Sequence, residues 1–236
     1  MRIGAMLLTD GLHAYQSFGD ERRNLRYMGT LQTCLRALVY QKFDEITIAL
    51  PAYFRSIKGS LAFEQLRQSI QQSYVSLPIT LAGGTSEELN SLIVKQQCIE
   101  RISVNSMLFQ DGALERLKRL QGHFGEQFIV ANLVIKLSNG IWKFFDHSNH
   151  KFCNIDRFDY ELLDQFDEVS CHFIGQHGSI QKFEFWDVIS EKIQADKVIL
   201  AGGMNNKKVI SVAKKFNFAA VLMDNYALYS EHLHAM

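Results

Sequence analysis

Two glycine pairs give the first indication of chemistry in this sequence. Gly83-Gly84 ends the apolar segment that starts at Leu77, and Gly202-Gly203 ends a similar segment that starts at Asp196. Glycine lets the backbone approach a ligand closely, and its N–H groups can hold a phosphate beside the start of a helix. The pairs lie 119 positions apart (202 − 83), close to half of 236 residues, which favours an internal duplication. Plain turn glycines are the alternative.

Other small or polar residues follow predicted strands and extend this phosphate-binding hypothesis. The additional candidates for phosphate contacts are Asn105 and Ser106. In the segment that corresponds to Asn105-Ser106 in the second half, Asp224 stands where a hydroxyl donor would suit a phosphate. A carboxylate there repels an anion, so the first site is the more competent one.

Short apolar runs alternate with amphipathic stretches, and these must position the candidate residues. The predicted strands are Ile3–Leu8, Glu45–Leu50, Leu77–Ala82, Arg101–Val104, Phe128–Ile135, Val169–Ile174, Val198–Ala201 and Ala219–Met223. The predicted helices are Leu31–Tyr40, Leu61–Ser73, Ser86–Lys95, Leu114–Gln121, Glu184–Ile193, Asn206–Lys215 and Tyr226–His234. Eight such units predict one α/β domain over residues 1–236, a single (β/α)8 barrel, with an open doubly wound sheet as the alternative.

Two long connections lie where the carboxyl ends of barrel strands carry active sites. Residues 9–29 form the longest stretch without a helical or strand pattern, and we expect an irregular loop there. Residues 138–157 contain Asn139-Gly140 between apolar runs, which predicts a β-hairpin on the fifth strand.

The amino-acid composition argues against nucleic-acid binding and membrane binding. Lys+Arg and Asp+Glu both number 25, so no global basic field favours nucleic acid or an anionic membrane. The four cysteines are scattered without a C-x-x-C pair, which is typical of reduced thiols in a cytoplasmic protein. No apolar run is long enough to span a bilayer. We expect no metal ion and no cofactor.

Several segments carry a family resemblance. They are L-P-I-T-L-A-G-G, R-I-S-V-N-S, Phe124-Gly125, Asp44-Glu45 and Asn24-Leu25-Arg26. With them the chain resembles, over nearly its whole length, the cyclase subunit of imidazole glycerol phosphate synthase. The resemblance implies a (β/α)8 barrel that closes an imidazole ring, cleaves a carbon–nitrogen bond and takes ammonia from a glutaminase subunit docked on the barrel bottom.

In that family two aspartates, at the ends of strands one and five, serve as general acid and base. Here Leu8 (or Leu7) and Leu133 (or Val134) occupy those positions, and neither side chain can transfer a proton. The weak substitutes for these aspartates are Asp10, His172 and His177. The resemblance also implies a phosphate contact at Gly178 and Ser179 in the sixth loop.

The resemblance also implies a ring of alternating charges that gates ammonia entry at the barrel bottom. The matching residues are Arg2, Glu45, Arg101 and Glu168, all with the expected sign. A purely structural plug of ion pairs is the alternative. Leu7-Leu8 and the segment from Arg26 to Gly29 resemble a divergent branch that accompanies a glutaminase-like subunit in surface-sugar amidation.

Three functions follow from these patterns. The first is a cyclase-like barrel that docks a glutaminase and delivers ammonia without closing a ring. The second is a genuine cyclase (lyase) of histidine biosynthesis with relocated acids. The third is a non-catalytic barrel that holds a phosphorylated small molecule at Gly83, Gly84, Asn105 and Ser106.

Overall fold

A computed structural model describes most of the chain. The described residues are 1–18, 24–51, 54, 60–83, 98–174, 184–204 and 207–223. The predicted helices Ser86–Lys95 and Tyr226–His234 lie outside them.

In the described ranges, twelve strands join in one sheet. They are β1 (Arg2–Thr9), β2 (His13–Phe18), β3 (Asn24–Thr30), β4 (Glu45–Ala49), β5 (Ile79–Ala82), β6 (Arg101–Val104), β7 (Ile129–Ser138), β8 (Ile141–Asp146), β9 (Lys151–Asn154), β10 (Val169–Phe173), β11 (Val198–Ala201) and β12 (Ala220–Met223). Eight parallel strands follow the order β10-β11-β12-β1-β4-β5-β6-β7, and a β10–β7 pairing closes them into a barrel. Because both faces of these strands are covered, β4, β5, β11 and β12 are buried throughout.

Helices lie between the barrel strands, which confirms the predicted α/β barrel fold. The α-helices are α1 (Leu31–Tyr40), α2 (Ser60–Ser73), α3 (Ala113–Phe124), α4 (Glu184–Ile189) and α5 (Lys207–Lys215). Short 3-10 helices span Ser106–Phe109, Glu126–Phe128, Ile155–Arg157, Tyr160–Gln165 and Ala195–Lys197. Thr30 caps α1, because its hydroxyl accepts a bond from the Thr33 N–H.

The connection after β1 corrects the expectation of an irregular loop over residues 9–29. Strand β2 folds back antiparallel on β1, with Leu8 opposite Tyr15, and β3 pairs with β2. The sequence concealed these strands because their residues are mostly polar and half-buried, so they lack the continuous apolar run of a barrel strand.

The hairpin predicted within residues 138–157 is confirmed. Strand β7 extends beyond the barrel, and β8 and β9 pair with it in turn as antiparallel neighbours. Asn139 and Gly140 both have positive φ, at 53° and 73°, as a two-residue hairpin turn requires. This hairpin and two 3-10 turns, rather than an α-helix, follow the fifth barrel strand.

The chain divides into two compact units by its internal contacts. One unit comprises Ser103–Val221 with Met1, and the other comprises Arg2–Ile102 with Leu222–Met236. Two of the three boundaries, after Ile102 and after Val221, fall inside strands β6 and β12.

Among the described residues, no helix is long and apolar enough to cross a membrane.

Candidate functional site

A buried charge cluster lies at the amino-terminal ends of β1, β4 and β6. Glu45 begins β4 directly across from Gly4 of β1, and a Cβ on Gly4 would stand 2.7 Å from the Glu45 Cγ. Glycine at that position therefore leaves room for the Glu45 side chain. Arg2 donates from Nε to Glu45 Oε2 at 3.2 Å, and Arg101 donates from Nη2 to the same oxygen.

The burial of this cluster decides its energetics. The side chain of Glu45 is 3% exposed, that of Arg101 16% and that of Arg2 40%. In the described part of the chain, Glu45 Oε1 has no hydrogen-bond partner. A buried carboxylate oxygen without a partner is costly, and it is an acceptor for any N–H or O–H donor that reaches it.

Glu168, the fourth residue of the predicted gate, directly precedes β10 and is half-buried. Its carbonyl oxygen accepts the Ala131 N–H at 3.1 Å, which ties the start of β10 to β7.

The opposite, carboxyl-terminal ends of β1, β4 and β5 are apolar. Leu8, Ala49 and Ala82 are direct neighbours across these strands and form a buried cluster. Met6, Tyr15 and Leu25 pack against it. Leu8 thus stands where the family resemblance expects an aspartate, and its surroundings are those of a hydrophobic core.

Asp10, one of the weak catalytic substitutes, is 5% exposed and organises the turn after β1. Its Oδ1 accepts the N–H groups of Leu12 and His13 at 2.9 and 2.8 Å. Its Oδ2 lies 3.3 Å from His13 Nδ1 and accepts the Tyr15 hydroxyl at 3.1 Å. A carboxylate that binds Nδ1 orients the imidazole and leaves Nε2 to face a reacting group. Asp10 and His13 together are therefore a candidate pair for acid–base chemistry.

Tyr15 links the Asp10 network to the apolar cluster. Desolvation, followed by the negative charge of Asp10, raises the pKa of Tyr15 to about 12. The phenol stays protonated at neutral pH and keeps donating to Asp10. Its ring stacks on Phe54, with centroids 5.3 Å apart, and packs edge-on against Tyr27.

Leu133 was expected to occupy the position of the family's aspartate on the fifth strand. The alternation of side chains along β7 and β10 places it on the wrong face of the strand for that role. Phe173 packs against Phe185 of α4, so its side of β10 faces the helices. Cys171, the register partner of Leu133, shares that side. Leu133 therefore points away from the barrel interior. Of the two alternatives on the fifth strand, Val134 is the residue on the inner face.

His172 is the register partner of Val134, so it lies on the inner face, with 7% exposure. Ser170 and Asn132 form the adjacent register pair on the same face. In the described ranges Asn132 Oδ1 has no hydrogen-bond partner. Asn132 was not among the predicted site residues, although a polar residue inside an otherwise apolar strand is a signal that could have identified it.

The two phosphate-binding residues predicted after the fourth strand, Asn105 and Ser106, lie in different environments. Asn105 donates from Nδ2 to the Asn132 carbonyl at 2.7 Å, and its Oδ1 accepts the His147 N–H at 3.3 Å. This side chain ties β7 to the turn between β8 and β9. Ser106 is exposed at the start of a 3-10 helix.

The described glycines of the two pairs have a steric role. Gly83 has φ +91°, and a Cβ there would lie 2.6 Å from the Leu50 carbonyl oxygen. Gly202 has φ +84°, and a Cβ would lie 2.0 Å from the Phe173 carbonyl oxygen and 2.8 Å from His172 Cδ2. Gly203 also has positive φ, at 69°. Close strand packing alone accounts for glycine at 83 and 202.

The remaining sequence-predicted site residues lie outside the described ranges. They are Gly84, His177, Gly178, Ser179 and Asp224.

Within the described ranges no group of three or more His, Cys, Asp or Glu residues could hold a metal ion. No protein-family model matches this chain, and a search of curated proteins gave no match either.

Proposed function

We propose that this protein is a cyclase-like barrel that docks a glutaminase-type subunit and passes ammonia along the barrel without closing an imidazole ring. The proposal combines the sequence resemblance with one observation above all. A nearly inaccessible carboxylate, Glu45, sits between Arg2 and Arg101 at the amino-terminal strand ends.

A buried ion cluster is an expensive way to fill the end of a barrel. Apolar residues of similar volume are often as stable or more stable, so the charges indicate a role beyond stability. The unpartnered Oε1 of Glu45 supports this reading, because ammonia carries N–H donors that suit a free acceptor.

The apolar character of the carboxyl-terminal strand ends supports the proposal that the barrel closes no imidazole ring. Leu8 lies in a cluster with Ala49 and Ala82, and Val134 is the inner-face residue of the fifth strand. Neither can act as general acid or base. A genuine cyclase would need the Asp10–His13 pair or His172 in their place.

Exposed aromatic side chains support a docking role for the amino-terminal strand ends. Tyr40 is 82% exposed and Tyr74 is 86% exposed. Tyr40 is the last residue of α1, five residues before Glu45, and Tyr74 directly follows α2, five residues before Ile79. Tyrosine is enriched at protein interfaces, where it supplies contact area and a polar tip.

We also propose that the barrel arose by duplication of a half-barrel. Gly83 and Gly202 have nearly equal positive φ, and each approaches a carbonyl oxygen at the end of a neighbouring strand. Such a match favours a common origin of the two glycine segments. Location in the cytoplasm, where glutamine-derived ammonia would be used, is part of the proposal.

The test uses the purified full chain with the glutaminase-type subunit of the same organism. We expect a complex by analytical ultracentrifugation and stimulated glutamine hydrolysis. With ammonium salt and the bis-phosphorylated ribulosyl substrate of the family, we expect no turnover.

Two matched variants sharpen this test. Tyr40→Ala should weaken the complex, whereas Tyr27→Ala, which removes a 58% exposed tyrosine beyond the carboxyl end of β1, should not. Turnover of the ribulosyl substrate would replace the proposal with a genuine cyclase. Absence of any complex would favour the phosphate-binding barrel.

A further inference from the structure

Three aromatic side chains share one side of the hairpin formed by β2 and β3. His13 and Tyr15 are two residues apart on β2, and Tyr27 of β3 is the register partner of Tyr15. Residues that are opposite, or two apart along a strand, lie on the same side of an antiparallel sheet. We call these three residues the aromatic trio.

The aromatic trio lies at the carboxyl end of β1, the end at which barrels of this kind hold their ligands. Tyr15 is the register partner of Leu8 and packs against the apolar cluster to which Leu8 belongs. Tyr27 is 58% exposed, the side chain of His13 is 33% exposed, and Tyr15 is half-buried. A small molecule can therefore reach the trio from solvent.

The three rings stand nearly at right angles to one another. The interplanar angle is 75° for His13 and Tyr15, 66° for His13 and Tyr27, and 70° for Tyr15 and Tyr27. In the same order, the ring centroids are 6.4, 5.5 and 6.3 Å apart. When two perpendicular rings face one point, that point lies at the centroid separation divided by √2 from each ring. Here this distance is about 4 to 4.5 Å, within the reach of a cation–π interaction.

Two rings of the trio are held in place by neighbouring side chains. The Tyr15 hydroxyl donates to Asp10 Oδ2 at 3.1 Å, and His13 Nδ1 lies 3.3 Å from the same oxygen. Phe54 stacks on the Tyr15 ring, with centroids 5.3 Å apart. Rings that are fixed before binding lose little entropy when a ligand arrives. A phenol that donates to a carboxylate is also polarised towards a more electron-rich ring, which strengthens its attraction for a cation.

We propose that the aromatic trio is a cage for a small quaternary ammonium ligand of the choline type. Several aromatic rings around one methylated ammonium group form the usual recognition site for such cations. The methyl groups give the charge an apolar shell, which suits ring faces above an apolar cluster better than a strongly hydrated ammonium does. In the part of the chain that the structure describes, no lysine or arginine lies over Tyr15 or Tyr27. The site does not depend on the glutaminase proposal.

Ligand-observed saturation-transfer NMR on the full chain, with choline, tetramethylammonium and dimethylbutanol as probes, tests the proposal. Dimethylbutanol is the neutral tert-butyl isostere of choline, so it reports apolar contact without the charge. We expect saturable binding of both cations, and binding of the alcohol weaker by about tenfold. Tyr27→Ala should weaken choline binding by about tenfold, and Tyr27→Phe, which places a ring at this position again, should restore it.

Tyr40→Ala is the matched control, because it removes a tyrosine that is more exposed, at 82%, from the last residue of α1. It should leave choline binding unchanged, and the melting temperature of each variant shows that it folds. The proposal is wrong if neither cation binds, if dimethylbutanol binds as tightly as choline, or if Tyr27→Ala and Tyr40→Ala weaken binding equally. The three rings would then only pack on one another.

Discussion

The two ends of β1 and β4 differ sharply in chemistry although the strands are the same. At the amino-terminal ends, Glu45 is buried between Arg2 and Arg101. At the carboxyl-terminal ends, Leu8 and Ala49 pack in an apolar cluster beneath Tyr15. Active sites of such barrels lie at the carboxyl-terminal ends, and stability determinants lie at the other. At the amino-terminal end the chain buries a carboxylate between two arginines, an arrangement that supports the role proposed for that end.

The largest expected effect comes from the charged end. Glu45→Gln removes the anion and leaves two arginines facing each other in a poorly solvated site. We expect the free energy of unfolding to fall by about 3 kcal/mol at neutral pH. Urea denaturation measures it. A double-mutant cycle with Arg101→Gln should show strong coupling, and a loss below about 1 kcal/mol would show that the cluster is solvated after all.

The next effect comes from the apolar end. Leu8→Asp places a carboxyl group in the Leu8–Ala49–Ala82 cluster, where burial raises its pKa above the unfolded value of about 3.9. The penalty is therefore full at pH 7.5 and shrinks as the pH falls and the group is protonated. We expect a loss of about 3 kcal/mol in unfolding free energy at pH 7.5 and a smaller loss at pH 5.

Leu8→Ala is the control for lost packing, and its deficit should not depend on pH. If Leu8→Asp were equally stable at both pH values, water would already reach this end of the barrel, and the contrast between the two ends would be weaker.

The smallest effect concerns the network above the apolar end. Tyr15→Phe removes one donor to Asp10 and should cost about 1 kcal/mol of unfolding free energy. Because the folded-state pKa of Tyr15 is about 12 and the unfolded value about 10, folding stability should decline as the pH rises from 10 to 12. The decline should be shallower in Tyr15→Phe. Equal slopes in the two proteins would place the Tyr15 hydroxyl in solvent.

The barrel itself could be predicted from the sequence. Strands β6 and β11 and helix α1 have the predicted bounds, because short apolar runs and a capped amphipathic helix leave strong local patterns. The β2–β3 hairpin could not be predicted, because half-buried polar strands lack the continuous apolar run that marks a barrel strand. Leu133 and Val134 could not be told apart either, since a strand buried on both faces has no alternation to show which residue points inward.

The candidate site was predictable in part. The gate residues Arg2, Glu45 and Arg101 were predicted from the family resemblance, and the structure brings these three together. Asn105 was expected to contact a ligand, yet its amide holds β7 and the β8–β9 turn. That bond joins residues far apart in sequence, and no local pattern encodes it.

The hairpin that extends β7 ends in β9, which is the last strand of its sheet order and has four residues. A terminal strand offers unpaired backbone groups to which another chain can add, the first step of sheet-mediated aggregation. Its shortness and the charge of Lys151 at its start oppose such addition. Lys151 therefore protects the open edge of the sheet against self-association.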